Sequence, residues 1–348
     1  MQHVRQRRGG VHKARRQRRE SDPQRRANPD VSLPARLDAV HRALQLLRRL
    51  AGRKPTFERY SGHLLPAFYF IAATSRDAAL RQHALTAGRE RARYWKQQWH
   101  LKPPRLDAGT VLDAISAGYA AKQLGIPHHR IRRDLEAAIA RYSPRELLGF
   151  DPVSEAIPRN IPEDCDCGAV NERGRRRCRK CRRPLAARSR YAVWYHALTS
   201  MYFCERYGLQ LPVRYADVMS LLPTLRPYPS PRARCYRDAV YAVTHIVYTL
   251  NDYNSTRLAA PLLRRERAFL KASLPWAIRQ GEADTVGEIL DSLAGCGVAD
   301  TDPLMVRGRA FLLEQQREDG GWGDEDDVYG RFHSVWTCID GLRDYRWR

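Results

Sequence analysis

From Ser32 onward, apolar side chains recur at three- and four-residue steps. Leu33, Leu37, Val40, Leu44 and Leu47 form one such stripe, which commits the segment to a helix with one buried face. Asp107 stands where an N-cap is needed ahead of Val111, Leu112, Ile115 and Tyr119, and that helix is expected to end near Gly125-Ile126-Pro127. Further helical runs are predicted around 78–99, 130–141, 191–207, 234–250, 261–279, 283–294, 303–317 and 332–345. Gly and Pro punctuate the links, as in Arg226-Pro227-Tyr228-Pro229-Ser230-Pro231. No alternating run long enough for a strand occurs outside one cysteine segment. The expected class is all-α, roughly ten to twelve helices joined by short links.

With 348 residues, 43% of them hydrophobic, the chain can bury one large core or two medium ones. No apolar stretch approaches the roughly 20 residues that cross a bilayer, so no transmembrane segment is expected. Residues 1–30 lack the apolar core of a secretory signal. The net charge of +23 is unevenly spread: residues 1–30 carry +7 and residues 165–190 carry +8. Residues 1–29 are Arg-rich and nearly devoid of apolar side chains, so they are expected to form a disordered basic arm. Arg outnumbers Lys by 54 to 7, a bias that coding composition explains as readily as phosphate binding does.

Four of the eight cysteines fall in one short segment, Cys165-Asp166-Cys167-Gly168 and Cys178-Arg179-Lys180-Cys181. Two close thiolate pairs joined by a hairpin supply the tetrahedral sulfur set that Zn²⁺ prefers. With Asn171 and Leu185 in their places, the segment resembles small zinc ribbons. Structural zinc on Cys165, Cys167, Cys178 and Cys181 is therefore expected, with no coordination position left for catalysis. The remaining cysteines form no disulfide pattern, which points to a reducing, cytoplasmic compartment.

The stretch from Arg307 to Gly323 joins an amphipathic pattern to Glu314-Gln315-Gln316 and a Gly320-Gly321-Trp322-Gly323 turn. It closely resembles the QW repeat of squalene and hopene cyclases, in which the Gln amide bonds the start of the next helix and the Trp ring covers the hairpin end. The following Phe332-His333-Ser334-Val335-Trp336 and Gly341-Leu342 are similar to the last inner helix of protein prenyltransferase β subunits, whose His binds the catalytic zinc. The resemblance implies an α/α toroid and makes His333 a candidate ligand or polar group of its cavity. The Asp-x-Cys that completes the family's zinc site is missing outside the cysteine segment, so that site is not carried over. Asp324-Glu325-Asp326-Asp327 matches the D-x-D-D of class II terpene cyclases, but it follows the Gly-Trp-Gly turn directly and reads better as a solvated loop.

Three predicted helices carry polar stripes. Tyr241, His245, Tyr248 and Asp252 are spaced by four, three and four residues, with Thr244 and Asn251 beside them; such a face suits a cavity wall better than a core. A second stripe holds Val193, His196, Ser200, Cys204 and Tyr207. The third holds His333, Trp336, Thr337 and Asp340. The histidines and carboxylates suggest an acid–base set or a second metal in the cavity. His245, Asp252, His333 and Tyr248 are the candidate catalytic residues, with His245 as base and Asp252 orienting it.

The expected architecture is thus a basic arm (1–29), a toroid in two parts (30–160 and 190–348) and an inserted zinc ribbon (161–189). Its expected function is terpene-cyclase- or prenyltransferase-like chemistry on a small, apolar or isoprenoid-like substrate. The alternative is a helical adaptor that binds nucleic acid or an acidic protein through the arm and the ribbon, in a strongly salt-dependent way. A third reading follows lanthipeptide cyclases, with Cys204, His245 and His333 around a metal.

Overall fold

The computed structural model describes residues 30–99, 106–159, 161–162, 177–185, 187–259, 261–323 and 327–348. The basic arm, Cys165, Cys167 and the acidic run 324–326 lie outside them. The described residues are overwhelmingly helical, and their only sheet pairs β1 (Ile161–Pro162) with β2 (Ala187–Arg188). None of their helices is long and apolar enough to cross a membrane.

Local signals set many of the boundaries. Helix α1 (Leu33–Gly52) starts on Ser32 with Pro34 in its first turn, and α3 (Ala78–Gln98) starts on Asp77, whose carboxylate accepts from the Leu80 amide at 2.7 Å. The Asp107 cap predicted for α4 (Ala108–Gln123) is present, accepting from the Thr110 amide at 2.9 Å. Helix α7 (Arg190–Tyr207) runs from a Ser189 cap to a left-handed Gly208. Helix α2 (Lys54–Thr74) has no counterpart among the predicted runs. Pro55, Gly62 and Pro66 interrupt its pattern, and it kinks at Tyr60, where the backbone leaves helical angles (φ −124°, ψ 22°), while nearly every side of it is buried.

The long helices pack in a simple order. α2 lies on α4, α4 on α7, α7 on α10 (Tyr236–Leu250), α10 on α12 (Ala283–Gly295) and α12 on α14 (Val328–Leu342), while α14 touches α2 and packs along α1. Around them, α3 backs α2, α5 (His129–Ile139) backs α4, α11 (Arg264–Gln280) backs α12, and α13 (Pro303–Gln315) backs α12 and α11. One apolar core runs through all of these contacts, with Leu47, Phe68, Trp194, Val243, Leu290 and Phe332 among its fully buried members. Each such side chain contributes about 1.5–3 kcal/mol through burial.

The tightest contact is between α12 and α14. A methyl group on Gly287 would drive into the Thr337 carbonyl, which is backbone and cannot swing aside. Gly287→Ala should therefore cost about 3 kcal/mol or more, read as a lowered denaturant midpoint.

The segment that follows α14 is stitched to the end of α2. Ser75 and Tyr345 form an antiparallel bridge, the Arg346 amide donates to the Thr74 carbonyl at 2.7 Å, and the Arg76 amide donates to the Asp344 carbonyl at 2.9 Å. The buried Arg343 guanidinium reaches the Thr74 and Ser75 hydroxyls. In the QW-like turn, Trp322 is buried and donates to the Leu312 carbonyl at 2.8 Å. Gln316 bonds Ala39 within α1, at 2.8 Å, rather than the start of the following helix.

Candidate active site

Helix α12 is buried almost throughout, yet it carries three acids, Asp284, Glu288 and Asp291, at spacings of four and three. Carboxylates buried in such a helix must find hydrogen-bond partners or keep their protons. Asp284 finds partners. Its Oδ1 accepts from His333 Nδ1 at 2.8 Å and from the Thr337 hydroxyl at 2.9 Å, and its other oxygen accepts from the Tyr241 phenol. Glu288 accepts from Thr244 Oγ1 at 2.6 Å. Its two carboxylate oxygens lie 3.9 Å from His333 Nε2 and 4.0 Å from His245 Nδ1.

The two histidines singled out from sequence therefore flank one carboxyl group. They differ in state. His245 Nδ1 lies 2.7 Å from the Tyr241 carbonyl, which can only accept, so the proton is on Nδ1 and the lone pair is on Nε2. Burial pushes its basicity down to about 4, with the neighbouring His333 adding to the effect. His333 is buried too, but the Asp284 carboxylate against it raises it to about 9. Burial alone would raise Asp284, yet the His333 imidazolium holds it well below the usual carboxylate range. Glu288 goes the other way: burial, reinforced by the Asp284 charge, lifts it to about 8. At neutral pH the centre thus contains an imidazolium–carboxylate pair, a neutral imidazole and a carboxylic acid.

Aromatic rings wall this group. Tyr195 lies against His245 with ring centres 4.7 Å apart, Tyr248 meets the same ring at 5.6 Å, and Tyr329 stacks on His333 at 5.2 Å. The site is sunk without being sealed. Glu288 retains 2% side-chain exposure, against 12% for His333, 13% for Asp284 and 16% for His245.

Other candidates lie elsewhere. Asp252 does not reach His245, because α10 ends at Leu250 and Asp252 adopts a left-handed backbone (φ 55°) that breaks the helical phasing. Its carboxylate instead accepts from Tyr202 and lies 3.6 Å from Arg206. His196 is exposed on α7, which turns Tyr195 toward His245 in its place. Cys204 is fully buried, and burial pushes its thiol up to about 12, so it offers no ready thiolate to a metal. The third histidine near the centre is His63 on α2, pushed down to about 4 by burial and by His333 and His245. Tyr248 does join the site, donating to the Glu288 main-chain carbonyl at 3.2 Å.

Asp284, Glu288 and His63 did not stand out in the sequence. The legible signal was Asp-x3-Glu-x2-Asp within an otherwise uncharged helical run, a spacing that puts three carboxylates on one buried face.

In the cysteine segment, the Cys178 amide donates to the Arg183 carbonyl at 2.8 Å, and Arg182 is left-handed (φ 61°). The Lys180 amide points at Cys178 Sγ from 3.4 Å. Cys178 is buried and Cys181 half-buried.

A family model described as a domain of unknown function, DUF6895, matches residues 164–331, just under half of the chain. The match includes Asp284 and Glu288 and stops two residues before His333. No curated protein and no solved structure matches the chain.

Proposed function

We propose that this chain is an α/α-toroid enzyme, similar in kind to terpene cyclases and prenyltransferases, that moves protons on a small, largely apolar substrate. The toroid reading is supported by the packing order of α2, α4, α7, α10, α12 and α14, in which each helix meets the next and the last meets the first. The observation that carries the chemistry is the buried Glu288 carboxyl set between His333 Nε2 at 3.9 Å and His245 Nδ1 at 4.0 Å, the latter on a ring whose lone pair is on Nε2. An acid and a base on one wall can add a proton at one carbon of an alkene, which leaves the positive charge on the other alkene carbon, and then remove a proton from a carbon next to that cation. Such an isomerisation or cyclisation needs no redox partner. Glu288 gives the proton, His245 takes one, and the His333–Asp284 pair fixes the charge beside the acid. The aromatic wall suits an apolar substrate and the positive charge that develops on it.

Glu288→Gln keeps the shape and removes the proton. Against a panel of isoprenoid alcohols and diphosphates, wild type should convert at least one, and Glu288→Gln and His245→Gln should each lose at least about 100-fold. Unchanged turnover in either folded variant would reject the assignment.

A second reading is favoured by one observation. Asp284, Glu288 and His333 each offer a ligand atom within 4.8 Å of the others, a set that suits a divalent cation. A bound cation would polarise a substrate oxygen. The zinc ribbon proposal rests on the Cys178–Cys181 turn, whose amide pointing at sulfur suits a thiolate. Elemental analysis separates the two sites. Cys178→Ala should remove all zinc if the ribbon alone binds it, whereas a remaining equivalent that is lost in His333→Gln would place a metal at the centre.

A further inference from the structure

Helices α1, α2 and α3 pack against one another, and where α1 meets α3 some of the facing residues are small. Ala87, 2% exposed, lines a cleft of about 450 Å³ between them, within the roughly 300–1,000 Å³ of small-molecule sites. Gly52 lines it from α1, and a methyl group placed there would meet nothing within 4 Å. The space is open, not packed.

Its walls are charged. Arg48 and Arg49 come from the C-terminal part of α1, Glu90 and Arg91 from α3, so three guanidiniums face one carboxylate. Two of them close on it: Arg91 Nη2 lies 2.8 Å from Glu90 Oε1, and Arg48 Nη2 lies 3.4 Å from Glu90 Oε2. Arg91 is also fixed by aromatic rings, its guanidinium carbon 5.2 Å from the centre of Tyr94 and 5.7 Å from that of Phe57. Arg49 is anchored separately, donating to the Asp319 carbonyl at 3.1 Å. These contacts use a minority of the five N–H donors that each guanidinium carries. Glu90 is half exposed, so turning it out into water costs little.

The chemistry that fits is a terminal phosphate. A monoester carries about two negative charges on three strong acceptor oxygens, and planar guanidiniums bind such oxygens in pairs. A single carboxylate matches that charge only in part, as does a nucleic-acid phosphodiester with one charge. We propose that the α1–α3 cleft binds a phosphate monoester, with Arg48 and Arg91 exchanging the Glu90 carboxylate for phosphate oxygens, Arg49 adding a third cation, and the organic group seated toward Ala87. None of these residues belongs to the centre around Glu288, so the site stands independently of the chemistry proposed there.

Calorimetric titration of the full chain with phenyl phosphate, at neutral pH and fixed ionic strength, tests it. Wild type should bind saturably. Arg48→Gln, at a largely exposed position, and Arg91→Gln should each weaken binding by about 10-fold or more. Glu90→Gln should tighten it by about 3-fold, because the competing carboxylate is gone. Gly52→Glu brings a carboxylate into the cleft with no clash at Cβ and should abolish binding. Arg93→Gln removes the same charge from an exposed position of α3 outside the cleft and should change affinity by less than about 2-fold. Equal weakening in Arg93→Gln and Arg48→Gln, undiminished binding in Gly52→Glu, or no saturable binding in wild type overturns the site. A single-stranded oligonucleotide that binds more tightly than phenyl phosphate, and is lost in Arg48→Gln and Gly52→Glu, would overturn the monoester in favour of nucleic acid.

Discussion

Asp284→Asn should be among the most damaging single substitutions in the molecule, and its effect should depend on pH in a defined way. The change leaves the buried His333 without its anion, and the ring should fall from about 9 to below the ordinary histidine value of about 6.5, because burial then acts without the Asp284 charge to oppose it. A histidine raised on folding contributes stability that is complete below its unfolded pKa and is lost as pH climbs through the folded one. A carboxylate depressed on folding, as Asp284 is, contributes above its unfolded pKa and loses that contribution on acidification. The pair therefore stabilises the fold from about pH 4 upward and fades between about pH 6.5 and 9. Within that window the variant should be less stable by about 3 kcal/mol. The deficit should shrink on either side. Urea melts from about pH 2 to 10 would show it, and NMR titration of His333 would read the cause directly. A deficit that stays flat with pH would mean that the pair is not charged.

Glu288→Gln should act in the opposite sense on stability while removing the proposed proton donor. A carboxyl lifted to about 8 in the fold binds its proton when the unfolded chain has released it. Stability then falls as pH rises from about 4.5 to 8. Gln does not titrate, so the variant should escape that loss and gain about 3 kcal/mol over wild type at pH 7. The gain should vanish near pH 4. Thr244 can still donate to the Gln carbonyl oxygen, which keeps the local geometry. A folded, more stable and inactive protein is the signature of a residue kept for chemistry at the expense of stability. A variant no more stable than wild type at pH 8 would show that Glu288 is ionised in the fold.

Both effects depend on Asp284 and Glu288, which were harder to read than the histidines they serve. His245 and His333 stood out because an imidazole in a helical stripe is conspicuous among apolar neighbours. Carboxylates are common on helices, and one alone says nothing about burial. That α12 is enclosed on all sides depends on α10, α11, α13 and α14 packing around it, and no local pattern records this. The all-α class was legible because periodicity is local, as was the Asp107 cap. Helix α2 was missed because its two prolines and a glycine look like breakers until tertiary burial outweighs them. Asp252 was misassigned for the reverse reason: a regular spacing continued past the point where α10 stops.

The stitching of α14 to α1 and α2 bears on how the molecule is made. The Arg36 guanidinium bonds the Leu342 carbonyl across 306 residues of sequence. During synthesis the first two helices emerge long before the last, and their greasy flanks wait uncovered while the ribosome works through the middle of the message. Nascent chains of intermediate length should therefore be chaperone clients, released only when the closing helix arrives.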